Sequence, residues 1–183
     1  MEIRKSPIAS AAGGFEPQRK NNFALQIAPK GGVDMGVIEF AMSKFPFPKS
    51  ELEKGETQLL NEVRKWAKAP FKFEGGTLTL KDYVDKKVSD AIQKWYKLAA
   101  DVQNGKIGYA SDYKTQATLI LFGPNGNNER EWTLYGLWCR GYSNGEGDMS
   151  SGDQVEITAT LEWDWIEQTK PKIGIEQPKM MAS

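Results

Sequence analysis

The sequence contains no histidine and a single cysteine, Cys139. Histidine is the commonest general base and metal ligand in proteins, so its absence excludes Ser-His-Asp, Cys-His and His-Glu-x-x-His chemistry. One cysteine forms neither an intrachain disulfide nor a Cys-x-x-Cys site. Because no histidine is present to activate it, we expect this thiol to be a packed core residue, in keeping with folding in a reducing compartment.

An excess of charge of one sign is also missing, as is a long apolar run. The chain carries 24 lysines and arginines and 24 aspartates and glutamates, so its formal net charge is zero. Proteins that hold nucleic acid tightly usually show a basic excess, and its absence disfavours tight binding of DNA. No stretch approaches the roughly 20 apolar residues that cross a bilayer, and no apolar segment follows the charged N-terminus. We therefore expect neither a membrane anchor nor a signal peptide.

The length of 183 residues predicts one domain with appendages. Glycine and proline among polar residues predict an extended N-terminal arm over residues 1–20. The domain itself is predicted over 21–166. A polar, proline-containing C-terminal extension is predicted over 167–183.

The first half of the domain gives mixed local signals. Residues 23–27 alternate between apolar and polar side chains and predict a strand, and 33–43 is a second strand candidate. Closely spaced prolines predict a long surface loop over 44–55. The segment 57–73 fits helical and strand spacing equally well, so its periodicity leaves both open. Residues 77–80 favour a short strand.

The clearest helix is predicted over Tyr83–Gln103, where apolar residues recur at intervals of three and four. Asp82 is the expected N-cap, and Gly105 is a stop signal just beyond the helix. We expect this amphipathic helix to pack on the outside of the barrel through one apolar face, which includes Val84, Val88, Trp95 and Leu98.

The last third of the domain is predicted to be β-structure. Residues 115–122 and 131–140 form a hairpin around a glycine- and asparagine-rich turn at 123–127. A polar loop follows over 141–153. The final strand, predicted over 154–165, alternates without a break, with apolar odd-numbered and polar even-numbered residues, and would span about 40 Å.

Three features invite a chemical interpretation, and each has a plainer one. The Gly145–Asp148 loop lacks the ligand spacing of a calcium loop and is typical of a flexible connection. Glu162 and Asp164 suggest a glycosidase pair, but alternating acidic residues on a strand usually lie on a solvated face. Tryptophans on alternating strands suggest a sugar-binding platform, yet they more often belong to the core; they are Trp132, Trp138, Trp163 and Trp165.

The residues thus indicate a β-rich α+β protein, an antiparallel β-sandwich or barrel subunit with one packed amphipathic helix. A strand of twice the average length needs sheet neighbours along all of it, and this chain has few to offer. Exposed strand edges are normally blocked or paired. Pairing between copies of the chain would remove the edges and build a large barrel.

Several stretches together resemble the tail tube protein of contractile-tailed, T4-like bacteriophages. The likeness covers about residues 21–166 and is strongest after Gly105. It is carried by Asn21–Ile27, by Trp95 with the run Gly105–Lys114, by the Trp-Thr-Leu-Tyr-Gly-Leu-Trp strand Trp132–Trp138, and by the acidic loop and closing strand Asp148–Asp164.

The resemblance implies a structural protein without cofactor or enzymatic activity. Six copies would close into a ring with a continuous inner β-barrel, and stacked rings would form a hollow tube that delivers DNA without binding it tightly. The implied partners are other copies, a sheath protein, a baseplate hub or tube initiator, and a tape-measure protein. The implied location is the virion tail tube, assembled in the cytoplasm of the host bacterium.

We expect two sets of side chains to have structural roles in such a tube. Contacts between stacked rings are expected on the loop 44–55, from Phe45, Phe47, Lys49, Glu51 and Lys54. A face lining the lumen, whose carboxylates would repel DNA, is expected on the last strand, from Glu156, Thr158, Glu162 and Asp164.

Three other interpretations remain open. The same fold serves as the tube protein of type VI secretion and of phage-derived injection particles, which would carry effectors instead of DNA. A carbohydrate-binding β-sandwich would use exposed tryptophans. A hydrolase would use the acidic strand residues, although the chain lacks histidine and a suitably spaced carboxylate pair.

Overall fold

The computed structural model describes residues 18–123, 125–150 and 152–170, so the predicted arm up to residue 17 and the end of the extension lie outside it. The protein is mostly β-structure. Its strands are β1 Phe23–Ile27, β2 Met42–Lys44, β3 Ser50–Leu59, β4 Glu62–Phe73, β5 Gly76–Lys81, β6 Ala100–Asp101, β7 Lys106–Ile107, β8 Thr115–Phe122, β9 Asn128–Ser143, β10 Glu156–Glu162 and β11 Trp165–Lys170. Its helices are α1 Met35–Ala41, α2 Lys87–Ala99 and α3 Ala110–Tyr113.

Seven of these strands form one antiparallel sheet that curls into half of a barrel. Six of them follow the order β1-β8-β9-β10-β5-β2, and β11 pairs with β9 as well. The alternation of the sequence places every second side chain of β8 and β10 in the core. These core residues are Ala117, Leu119 and Leu121 on β8, and Ile157, Ala159 and Leu161 on β10.

The long strand β9 joins the two halves of the sheet. Its first half pairs with β8 and β11, and its second half pairs with β10. Gly136 lies at the changeover in a left-handed conformation (φ +69°), and a β-carbon there would collide with the carboxylate of Asp164. The structure therefore requires glycine at position 136.

The helices close the core against the sheet. Residues of α1, α2 and both halves of the sheet form a single apolar cluster, and Trp95 of α2 is 0% exposed within it. In the described part of the chain, no helix has the length and apolar character needed to span a bilayer.

The predicted strand over 33–43 is wrong, because most of it forms α1. The Asp34 carboxylate accepts a hydrogen bond from the N–H of Val37 and caps the helix. Met35, Ile38 and Ala41 recur every three residues and are buried together. This spacing buries one helical face, whereas in a strand these three residues would not share a face.

The predicted helix over 83–103 is real, but its ends differ. It begins at Lys87 behind Lys86, which is left-handed (φ 60°), so Asp82 is not the N-cap. Val84 precedes the helix and is 101% exposed, which contradicts its expected packing. Val88 is buried, and Leu98 is half-buried against the core.

The predicted unbroken strand over 154–165 is also wrong. It divides after Glu162, because the chain leaves the second half of β9 and turns to pair with the first half. At this crossing the Asp164 N–H donates to the Tyr135 carbonyl at 2.9 Å. Trp163 is buried, whereas Trp165 is exposed. The strand that follows continues to Lys170, past the predicted domain end at residue 166.

Replacing Trp95 with alanine tests the packing of α2. We expect Trp95→Ala to lower the free energy of unfolding by about 3–5 kcal/mol, because it leaves a cavity in the core. Val84→Ala is the matched control and should change it by less than about 0.5 kcal/mol, since Val84 touches little. Urea denaturation followed by circular dichroism measures both, and equal effects would contradict this account of the helix.

Candidate functional site

A two-stranded hairpin of β3 and β4 replaces the predicted loop and the ambiguous segment. The prediction of a loop over 44–55 is wrong from Ser50 onward, and the strand alternative for 57–73 is the correct one. The register pairs Leu59 with Glu62, which leaves a two-residue turn. Leu60 at this tip adopts a left-handed conformation and is 96% exposed.

This hairpin has almost no support from the rest of the subunit. Its strands pair with each other, and within the described residues neither makes extensive contact with another helix or strand. Trp66 lies over Gly55 of the opposite strand, so even its largest side chain packs within the hairpin. Large apolar side chains along it are exposed: Leu52, Leu59, Leu60, Val63 and Trp66.

The two strands of the hairpin carry opposite charge. β3 has three glutamates and one lysine, a net charge of −2, while β4 has four basic residues and one glutamate, a net charge of +3. The Lys72 ammonium pairs with Glu53, and this hydrogen bond raises the pKa of Lys72. At its base, Lys49 binds Glu51 at 3.0 Å and Glu74 at 3.2 Å, and both contacts raise the pKa of Lys49. These exposed pairs are screened by solvent, so they favour the register more than they add stability.

The residues expected to contact a second ring fall into two groups. Lys49, Glu51 and Lys54 are exposed at the base of the hairpin and along β3. Phe47 is also exposed, and its ring packs near Phe23 and Trp132. The expectation that Phe45 is exposed is wrong, because it is buried (7% exposed) against Trp163.

Two exposed apolar patches lie at opposite ends of α2. The first patch consists of Phe40, Tyr83 and Val84, and the rings of Phe40 and Tyr83 are 6.3 Å apart. The name second patch is used for three other exposed apolar side chains, Val102, Ile107 and Tyr109, which lie on and after the short hairpin of β6 and β7.

The residues expected to line the lumen share a polar face of the sheet, apart from Asp164, which lies beyond the end of β10. Glu156, Thr158 and Glu162 alternate with the buried residues of β10 and point away from the core. Across the ladder, Thr158 lies opposite Thr79, and Thr160 lies opposite Thr77. Thr79 is buried, so the accessible hydroxyl groups of this strip are those of Thr77, Thr158 and Thr160. At the end of the strip, Glu156 lines a cavity of about 740 Å³.

Each of the three carboxylates expected to face the lumen has a basic side chain beside it. Glu156 lies 3.9 Å from Lys44, and Glu162 lies 2.9 Å from Arg140. Asp164 lies 2.6 Å from Lys114. Charge on this face is therefore balanced pair by pair.

Among the described residues, no group of three or more acidic, cysteine or histidine side chains is placed to hold a metal ion. Cys139 is buried, and burial raises the pKa of its thiol to about 12. The tryptophans pack against separate aromatic partners and not as one platform, with Trp138 near Tyr113 and Trp165 near Phe73.

Sequence reasoning missed both the hairpin and the second patch. The hairpin has a local signal in the alternation of Val63, Lys65, Ala67 and Ala69, which the helical spacing of Leu59, Leu60, Val63 and Trp66 obscures. The second patch has only weak signals, Val102 and Ile107 on either side of Gly105, and Val102 falls inside the helix predicted over Tyr83–Gln103.

The family model of the T4-like virus tail tube protein gp19 matches residues 19–167. The chain belongs to this family. The predicted resemblance is thereby confirmed, and the chain is a structural tail tube protein. No curated protein matches it in sequence.

Solved structures of contractile injection systems share the tail tube fold. A chain of the anti-feeding prophage baseplate matches with a TM-score of 0.60 and 11% identity, covering 85% of this chain and 97% of that one. A chain of the anti-feeding prophage tube-terminating cap matches with a TM-score of 0.57 and 13% identity, covering 90% of this chain and 98% of that one. A chain of the sheath–tube complex of the extracellular contractile injection system PVC matches with a TM-score of 0.53 and 15% identity, covering 90% of this chain and 97% of that one.

The buried thiol gives a test of the core around β9. At pH 8 the thiolate fraction of Cys139 should be about a thousandfold below that of an ordinary thiol, so native protein should resist iodoacetamide. The folded state keeps this proton while the unfolded chain loses it above about pH 9. The thiol should therefore contribute a loss of stability as pH rises through that range, which Cys139→Ala should remove. Mass spectrometry before and after denaturation checks the labelling, and rapid modification of native protein would contradict the placement.

Proposed function

We propose that six copies of this chain form a ring and that stacked rings build the hollow inner tube of a contractile tail, through which phage DNA is delivered. The observation that carries this proposal is the unsupported hairpin of β3 and β4. Family membership supports a tube role, and the hairpin indicates how a subunit would reach its neighbours.

The hairpin is a ribbon of only two strands, and such ribbons are marginally stable in water when isolated. Its strands of ten and twelve residues extend over roughly 33 and 40 Å. Its outer edges leave unpaired backbone groups, and its apolar side chains are exposed. Contact with the next ring would cover both, and it would engage the expected residues Phe47, Lys49, Glu51 and Lys54.

The two apolar patches support a ring. They differ in composition and lie at opposite ends of α2, so they suit a head-to-tail contact in which the first patch of one copy meets the second patch of the next. Head-to-tail contacts close into rings when the rotation between copies allows it. Six copies are the number implied by the tail tube resemblance.

The threonine-rich face is the proposed lining of the tube, with Glu156, Thr158 and Glu162 exposed to the lumen and Asp164 at its rim. Its charges are paired, so it offers DNA neither a basic surface to hold phosphates nor a strong repulsive field. A neutral, hydroxyl-bearing lining suits passage without tight binding. The chain would act without a cofactor and without catalysis.

The proposed partners are other copies, a sheath protein, a baseplate hub or tube initiator, and a tape-measure protein. Similarity to chains in a baseplate and in a sheath–tube complex supports the sheath protein and the baseplate as partners. The proposed location is the virion tail tube, after assembly in the host bacterial cytoplasm. A second candidate is the tube of a phage-derived injection system carrying protein cargo, favoured by the same matches.

Electron microscopy of the purified full chain tests the proposal. Negative staining should show six-fold rings or hollow tubes, on addition of a baseplate template if nucleation is needed. Particles of solitary subunits in the presence of such a template would contradict it. Mass spectrometry and nucleic acid staining of particles isolated before contraction distinguish a DNA conduit from a protein conduit.

Aspartate in either patch should block ring closure while leaving the fold intact. Because Val84 and Ile107 are exposed, Val84→Asp and Ile107→Asp should keep the melting temperature and lose the rings. Each variant retains one intact patch, so an equal mixture should form dimers and stop there. Analytical ultracentrifugation measures these states.

Met149→Asp is the matched control for the patch variants, since Met149 is exposed but belongs to neither patch. It should assemble like the unmodified chain. Normal rings from Val84→Asp, or rings restored in the mixture, would show that the contact is not head-to-tail through these patches.

A further inference from the structure

The two end strands of the half-barrel, β1 and β2, face one groove. It has a volume of about 680 Å³ and is lined by Phe23–Gln26 on one side and Met42–Phe45 on the other. β1 and β2 are the first and last strands of the sheet path. The groove is therefore the gap in the barrel, where an added strand would find a free edge.

The edge of β1 presents unpaired backbone groups to this groove. Ala28 donates to Gln116 of β8 at 2.8 Å, and Asn22 accepts from Phe122 at 2.9 Å. Antiparallel pairing alternates, so Phe23, Leu25 and Ile27 direct their N–H and C=O groups away from β8. An edge of this kind is a template for strand addition.

Glu39 occupies one end of that edge. Its carboxylate accepts a hydrogen bond from the Ile27 N–H at 2.5 Å. Glu39 is held in place because α1 buries Met35, Ile38 and Ala41 beneath it. At the other end of β1, the rings of Phe23 and Phe47 pack edge to face, with their centroids 6.3 Å apart. Both ends of the strand are thus bridged across the groove.

A strand that paired fully with β1 would have to displace the Glu39 carboxylate from Ile27. One hydrogen bond to the Ile27 N–H would be exchanged for another, so the displacement itself is nearly neutral. The gain comes from new bonds at Leu25 and Phe23, which have no partner on this side among the described residues.

The acidic strand β3 is the complementary segment that this chain offers. Its outer edge is unpaired, and it carries a net charge of −2. The rim of the groove carries Lys20 and Lys44 against the single carboxylate of Glu39, although Lys44 also lies 3.9 Å from Glu156. Opposite charge therefore brings the free edge of β3 to the free edge of β1.

We propose that β3 of a second copy pairs with the groove edge of β1 and that Glu39 is a latch holding this edge in the lone subunit. The proposal rests on the proposed tube function and adds to it the surface that receives the hairpin. The latch keeps free subunits from pairing indiscriminately through an open edge.

Variants of Glu39 test the latch. Glu39→Ala leaves the Ile27 N–H without its acceptor in the free subunit, which should lower the critical concentration for assembly about fivefold, the net worth of one hydrogen bond. Glu39→Gln keeps an acceptor oxygen and should behave like the unmodified chain. Glu146→Ala removes an exposed carboxylate outside the hairpin and the groove, and should leave the critical concentration unchanged. An unchanged or higher critical concentration for Glu39→Ala, measured by light scattering, would overturn the latch.

Photo-crosslinking identifies the occupant of the groove. Gln26 is exposed and lines the groove, and Gln26→Cys labelled with a benzophenone maleimide places a probe there. Cys139 should remain unlabelled because it is buried. In assembled particles the probe should link to residues 50–59 of another copy, shown by mixing isotopically light and heavy subunits. Links to residues 1–17, or to any other segment, would overturn the proposal while rings in the microscope still upheld the tube function.

Discussion

Backbone hydrogen bonding at strand edges is the constraint on which this structure depends. A strand must satisfy donors and acceptors on both sides, and edges left open invite further pairing. The half-barrel leaves one side of β1 open and covers little of β5 with the three-residue strand β2. The hairpin of β3 and β4 leaves two more edges open. The subunit packs its core by itself, while its strand edges and exposed apolar patches remain open to further contacts.

Strand β9 takes part in both halves of the sheet. Its sixteen residues are long enough to belong to two parts of the sheet, with a changeover at Gly136 and a bulge near Arg140. Asp164 meets Lys114 at this changeover, and Glu162 meets Arg140. Both ion pairs lie beside the bend, on the polar side of the sheet.

The sequence predicts what depends on local alternation and misses what depends on distant partners. Strands β1, β8 and β10 follow from alternation, because their buried faces all meet one core. Val84 has the spacing of the apolar face of α2. It lies outside the helix, however, because the helix begins only after the left-handed residue Lys86. For residues 57–73 the period alone is indecisive, because the exposed hairpin has no buried face to enforce one pattern. The ion pairs of the polar face could not be predicted either, since partners such as Lys114 and Asp164 are distant in sequence.

The same constraint explains how the fold is shared with chains of 11–15% identity. Backbone pairing sets the spacing of strands whatever the side chains are, and the core asks only for apolar residues at alternate positions. Positions where the backbone itself is unusual allow less change. Gly136 is one, because any side chain there would collide with Asp164 and break the crossing between the two halves of the sheet.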